Sequence, residues 1–278
     1  LGYLGLLRQR PVLVLWLAQS LSVLGDRLYA LAVMWVVYAA TGSASLMGLV
    51  AVAESMPYIA LGTVGRRLVS RFSSYRALAW VDGARAAVAV ALPFLWSPDA
   101  RGIALLLAGV LLLGTLGALF DPNLGALVPD LVEPERVQQI TGLLDLTGRI
   151  ARIAGPASIG LLLLFVSEMQ LFALNGATFA VSAMALRWLA RRHATSAGGG
   201  TAERPRGGAR PSVRAWPVLR EHPRVGLAIG LHGAALFCSA VTAIGMPALL
   251  ATRYGAGAAV YGLVTAAVGV GPCWVTRS

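Results

Sequence analysis

Asp26 and Glu54 are carboxylates set inside long apolar runs. An ionisable side chain there costs at least about 2.5–3.5 kcal/mol by insertion scales, so each asks for an explanation. Gln19, Ser22, Asp26 and Tyr29 recur at i, i+3, i+7 and i+10 and share one stripe of a helix. Such a stripe faces a cavity or a partner helix rather than lipid. Asp26 then has two readings: contact with a substrate or carriage of a proton, or an ion pair with an arginine that pins helices together. Arg27 points about 100° away around the helix and is not the obvious partner. Glu54 lies about midway along the next apolar run, close to Pro57. Counted from the outer ends of their runs, the two carboxylates stand at broadly similar depths. Two carboxylates sharing a low-dielectric space do not both ionise readily, and proton carriage needs such a group. The alternative for Glu54 is a hydrogen bond to a Tyr or Ser of a neighbouring helix.

Further charges come in pairs at helical spacing. Asp82 and Arg85 are i, i+3 and suit mutual pairing near a helix end, where an arginine can snorkel to the headgroups. Asp145 and Arg149 are i, i+4, with Arg152 one turn further. Behind them, Gly155, Pro156 and Gly160 combine small residues with a kink-forming proline, which suits close packing and bending. His232 stands alone among Leu, Gly and Ala, and such a histidine reads better as packed or hydrogen-bonded than as a functional group. Met34, Trp35 and Tyr38 suit either a cavity lining or ordinary packing, and packing is favoured.

The elements that position these residues are apolar helices. The chain is 57% hydrophobic and 13% charged, with a mean hydropathy of +0.72, too apolar for a soluble domain. At about 20 residues per crossing, spans are expected at Val12–Ala39, Ser45–Val64, Ala77–Leu95, Gly102–Phe120, Ile140–Phe165, Gln170–Leu189 and Val225–Leu250, with an eighth from near Ala258. Sixteen of the 23 arginines fall at the N-terminus and in every second gap, and there is no lysine. Basic loops stay on the cytoplasmic side, so the N-terminus is expected in the cytoplasm of a multi-pass cell-membrane protein. Glycine is abundant and lies within the spans, as a tightly packed bundle requires.

The net charge of +11 does not point to nucleic acid, because it sits in loops rather than on one compact basic face. Cys238 and Cys273 make neither a disulfide framework nor a metal site. No metal-spaced His/Cys cluster, nucleophile elbow or phosphate-binding glycine loop is seen, so no cofactor and no enzyme activity are expected. The partners expected are the lipid bilayer, protons and a small-molecule substrate.

Four stretches carry a family resemblance: GDRLYALAVMWVVYAATGSASLMGLV (25–50), RFSSYRALAWVDGARA (71–86), ALVPDLVEPERVQQITGLLDLTGRIARIAGPASIGLLL (126–163) and LFALNGATFAVSAMAL (171–186). Together they resemble the N-terminal half of a major facilitator superfamily exporter, of the subgroup holding macrolide-efflux, enterobactin-export and lysophospholipid-transporter-type proteins. The resemblance implies two six-helix bundles rocking about a central site, and proton-coupled export of a small amphipathic compound. The run RIAGPASIG resembles the Gly-Pro motif of antiporter-type members, which implies a gating-related structural role without substrate contact. Asp82, Arg85, Arg149 and Arg152 would organise the cytoplasmic half.

Two departures stand out. The family's loop between spans two and three resembles G-x-L-A-D-R, with an aspartate that latches the closed state; here it reads Gly65-Arg66-Arg67-Leu68-Val69-Ser70-Arg71. Ser70 takes the aspartate's place beside Arg71 and can cap a helix but supplies no charge. The chain also stops within an eighth span, and GPCWVTRS does not read like the continuation. The expectation is an all-α membrane protein with a complete N-terminal six-helix bundle (1–190), a flexible Arg/Gly/Pro-rich linker (191–224) and the first one or two helices of a C-terminal bundle (225–278). A truncated or degenerate, non-transporting member is the alternative.

Overall fold

The computed structural model describes residues 3–63, 66–162, 165–197 and 223–255, together with Val260 and Val264. No strand occurs among them. Seven long helices follow in order: α1 (Arg10–Thr41), α2 (Ala44–Thr63), α3 (Tyr75–Leu95), α4 (Ala100–Leu127), α5 (Val137–Leu162), α6 (Glu168–Ala197) and α7 (Pro223–Tyr254). Of these, α1, α2, α3, α4 and α6 are long and apolar enough to cross a membrane. Helix α5 has the length but carries Asp145, Arg149 and Arg152.

The helix ends follow local chemistry. Pro11 stands in the first turn of α1, where its missing N–H has no intrahelical partner to lose. That helix stops at Gly42, whose φ of 63° a side chain would resist and whose N–H closes on the Tyr38 carbonyl at 2.7 Å. Ser74 caps α3 by accepting from the Ala77 N–H at 3.2 Å, and Asp99 caps α4 by accepting from the Gly102 N–H at 2.8 Å. The cap in the loop before α3 is therefore Ser74. Ser70 opens a short 3₁₀ turn (Ser70–Phe72), where its carbonyl accepts from the Ser73 hydroxyl at 2.9 Å and Arg71 is exposed.

Helix α3 packs along α6 on one side and α4 on the other; α1 lies against α6 and α5, and α2 against α4. Two apolar clusters stack along the bundle. One gathers Leu28, Val33, Val37, Met47, Val110, Phe172 and Phe179. The other gathers Val12, Leu15, Leu78, Phe120, Ile140, Leu186 and Leu189 toward the Arg-rich end. Large apolar side chains also face outward, with Phe94 84% and Ile59 69% exposed, as expected of a surface solvated by hydrocarbon rather than water.

Several expected boundaries move. Helix α4 runs past Phe120 through Asp121, Pro122 and Asn123 to Leu127, and Asn123 is held by donating to the Leu119 and Val69 carbonyls at 2.7 and 2.9 Å. Helix α6 continues beyond Leu189 to Ala197, into the expected linker. The rest of that linker up to residue 222, and all but two residues of the eighth span, lie outside the described residues. His232 is exposed on α7 rather than packed. Tyr38 is buried and Met34 packs against the core, as favoured.

Candidate functional site

Where the two apolar clusters meet, the bundle holds charge. Arg85 of α3 is only 7% exposed. Its Nη1 lies 3.1 Å from Asp82 Oδ1 on the same helix, and its Nη2 lies 3.2 Å from Asp26 Oδ2 on α1. The guanidinium carbon stands 3.9 Å from the ring centre of Phe179 and 5.5 Å from that of Phe120. Each of these cation–π contacts is worth about 0.5–2 kcal/mol, more where water is excluded. The expected Asp82–Arg85 pair thus forms, but Arg85 does not snorkel. It turns inward because two carboxylates and two aromatic faces there replace its hydration.

Asp26 is therefore pinned by an arginine, and by Arg85 rather than the adjacent Arg27. Its second oxygen accepts from Asn175 Nδ2 of α6 at 3.4 Å. The close passage of α1 over α6 depends on Gly25, where a Cβ would meet Thr178 Oγ1 at 2.5 Å and Asn175 Oδ1 at 2.7 Å. One turn or more away, the stripe is satisfied or buried. Gln19 Nε2 donates to Ser182 Oγ of α6 at 2.8 Å, and Ser22 is buried. Tyr29 packs edge-on against Phe172 at 5.1 Å, and its hydroxyl has no hydrogen-bond partner among the described residues.

Beside the ion pairs lies a cavity of about 200 Å³ whose wall includes Asp26, Arg27, Tyr29, Glu54, Arg85 and Asp121. Glu54 reaches it from α2, so the two carboxylates singled out by depth do share one space. Helix α2 sits close because Gly114 of α4 lies against the Glu54 carbonyl, where a Cβ would come within 2.5 Å. Across the same wall Tyr58 donates to Asp121 Oδ2 at 3.1 Å. Three carboxylates and two arginines thus share the wall of one small volume.

Asp121, Tyr58 and Asn175 belong to this site and were not singled out from the sequence. Asp121 lies just beyond Phe120, where the apolar run of the fourth span ends although α4 continues. The spacing of Gly114, Gly117 and Asp121 (i, i+3, i+7) carries the signal. For Asn175 it is the spacing with Thr178 and Ser182 on one face of α6.

The charges of α5 lie elsewhere. Arg149 Nε meets Asp145 Oδ2 at 2.8 Å, both side chains largely exposed, and Arg152 is exposed. Helix α5 runs through Gly155, Pro156 and Gly160. A Cβ at Gly155 would meet Arg27 Cβ at 2.7 Å, so this glycine lets α5 close on α1 beside the cavity.

Five helices long and apolar enough to cross a bilayer, packed around a charged interior, are the architecture of a polytopic membrane protein. The chain matches the sequence model of the family described as transmembrane secretion effector over residues 2–276. It belongs to that family, which is part of the major facilitator superfamily, and it is a multi-pass membrane protein of the transporter class. Comparison with curated proteins and with solved structures finds no match.

Proposed function

We propose that the chain acts in proton-coupled export of a small amphipathic compound, a drug, siderophore or lipid-like molecule, by alternating access. The observation that carries this reading is the cavity in which Asp26, Glu54 and Asp121 meet Arg85 and Arg27. Proton uptake by Asp26 removes one of the two carboxylate partners of Arg85 while Asp82 keeps the other in place. The contact between α1 and α3 then weakens without expelling the arginine, which is a two-state element a proton can bias. Glu54 and Asp121 are the second carboxylates of the relay, and Gln19 and Tyr29 line the path on α1. The exposed face of α5, with Asp145, Arg149 and Arg152, and the Gly155-Pro156-Gly160 segment serve gating through packing. Ser70 and Arg71 belong to the cytoplasmic loop, with the N-terminus inside. In this reading the helices α1–α6, through Ala197, make the N-terminal bundle, and α7 (Pro223–Tyr254) belongs to a second bundle.

The test is efflux of a fluorescent amphipathic dye from cells lacking their own pumps, with and without a proton uncoupler. Uncoupler-sensitive efflux that Asp26→Asn or Glu54→Gln abolishes is the expected result. Efflux indifferent to the uncoupler removes the proton from the mechanism. No efflux from confirmed membrane-inserted protein removes transport by this chain.

A further inference from the structure

Outside the charged cavity, a groove of about 630 Å³ runs between α3 and α6. The two helices are antiparallel, so the first turn of α3 and the last turns of α6 meet at the Arg-rich end. Arg76, Arg187 and Arg191 line the groove there. Farther in, Gly83, Ala180 and Ala183 keep its floor low, while Trp80 and Met184, 68% and 62% exposed, form its sides. From Arg76 to Ala86, the innermost lining residue of α3, the helix rises about 15 Å, roughly half the hydrocarbon thickness of a bilayer. No acidic side chain lines the groove among the described residues.

We propose that this groove binds one anionic phospholipid of the leaflet on the Arg-rich side. Its phosphodiester sits between the guanidinium groups of Arg76 and Arg187, with Arg191 beside them, and one acyl chain lies along the small-residue floor. Guanidinium forks match phosphate oxygens in geometry as well as charge. Arg76 also stands in the first turn of α3, where helix N–H groups favour an anion. A free phosphate would use the arginines but leave the apolar length of the groove unfilled, and a zwitterionic lipid would fill the groove but bring its own cation to the arginines. An anionic phospholipid matches both halves.

Trp80, on the groove wall, is the reporter. The full chain is reconstituted with brominated phosphatidylglycerol or brominated phosphatidylcholine, and quenching of the Trp80 signal is taken as the difference between the protein and its Trp80→Phe variant. The expected result is a preference for the anionic lipid of roughly tenfold in effective affinity, unmoved by millimolar inorganic phosphate. Arg76→Gln with Arg187→Gln removes the preference while quenching by phosphatidylcholine persists. Ala180→Leu, which fills the floor and leaves every charge in place, weakens it as well and serves where the double variant fails to fold. Equal quenching by the two lipids, a preference that survives these variants, or displacement by inorganic phosphate overturns the proposal.

Discussion

Arg85 Nη2 lies 3.2 Å from Asp26 Oδ2 across 59 residues of sequence, so one ion pair ties α3 to α1 at the level of the polar cavity. The same guanidinium holds Asp82, which is fully buried. Replacing Arg85 with Met leaves Asp82 buried without its cation, and the expected loss is about 3–5 kcal/mol. Adding Asp82→Asn to the Arg85→Met variant recovers a large part of that loss, because the uncompensated charge is gone. Unfolding of the four proteins of this cycle in detergent measures the coupling. Additive losses would mean that the pair contributes nothing of its own.

Gly114 touches the Glu54 backbone carbonyl, which cannot rotate out of the way as a side chain would. Gly114→Ala is expected to destabilise the bundle by about 1–3 kcal/mol through overpacking and to displace α2 from α4. Gly148→Ala, where a Cβ meets nothing within 4 Å, is the matched control. It is expected to be neutral or to stabilise by up to about 1 kcal/mol, since alanine is the better helix former. Thermal unfolding of both variants in one detergent checks the contrast.

Tyr58→Phe removes the hydrogen bond to Asp121 and little else. Tyr58 is 43% exposed, so the expected cost is at the modest end, about 0.5–1.5 kcal/mol. If Asp121 serves the relay proposed above, Asp121→Asn lowers efflux in the dye assay far more than Tyr58→Phe does. Equal effects would reduce Asp121 to a structural partner of the tyrosine.

Asp99 caps α4 outside the membrane-spanning stretch. Hydrogen bonds from Ser97 and then from the Gly102 N–H hold its carboxyl below the ordinary aspartate value. A carboxyl lowered in the folded state contributes stability above its unfolded value and loses it as pH falls through the folded value. Asp99→Ala should therefore lower the melting temperature at neutral pH, by a difference that shrinks once pH falls below about 3.9. Melting curves of the two proteins across that range test the sign.

Length and apolar patterning determined α1, α2, α3, α4 and α6, because a bilayer demands about 20 apolar residues per crossing and leaves few alternatives. The i, i+3 and i, i+4 pairs Asp82–Arg85 and Asp145–Arg149 were also legible, since helical geometry alone brings such side chains together. The similar depths of Asp26 and Glu54 were readable by counting from the short gap between α1 and α2. What the sequence did not contain is which helix lies beside which. That decided the partner of Asp26, Arg85 on α3, together with the inward turn of Arg85 between Phe179 and Phe120 and the entry of Asp121 and Asn175 into the site. The physical reason is that these contacts join residues of different helices, and their geometry depends on interhelix packing set by small residues such as Gly25 and Gly114. Apolar periodicity reports that a helix has a buried face; only the packed bundle decides what that face meets.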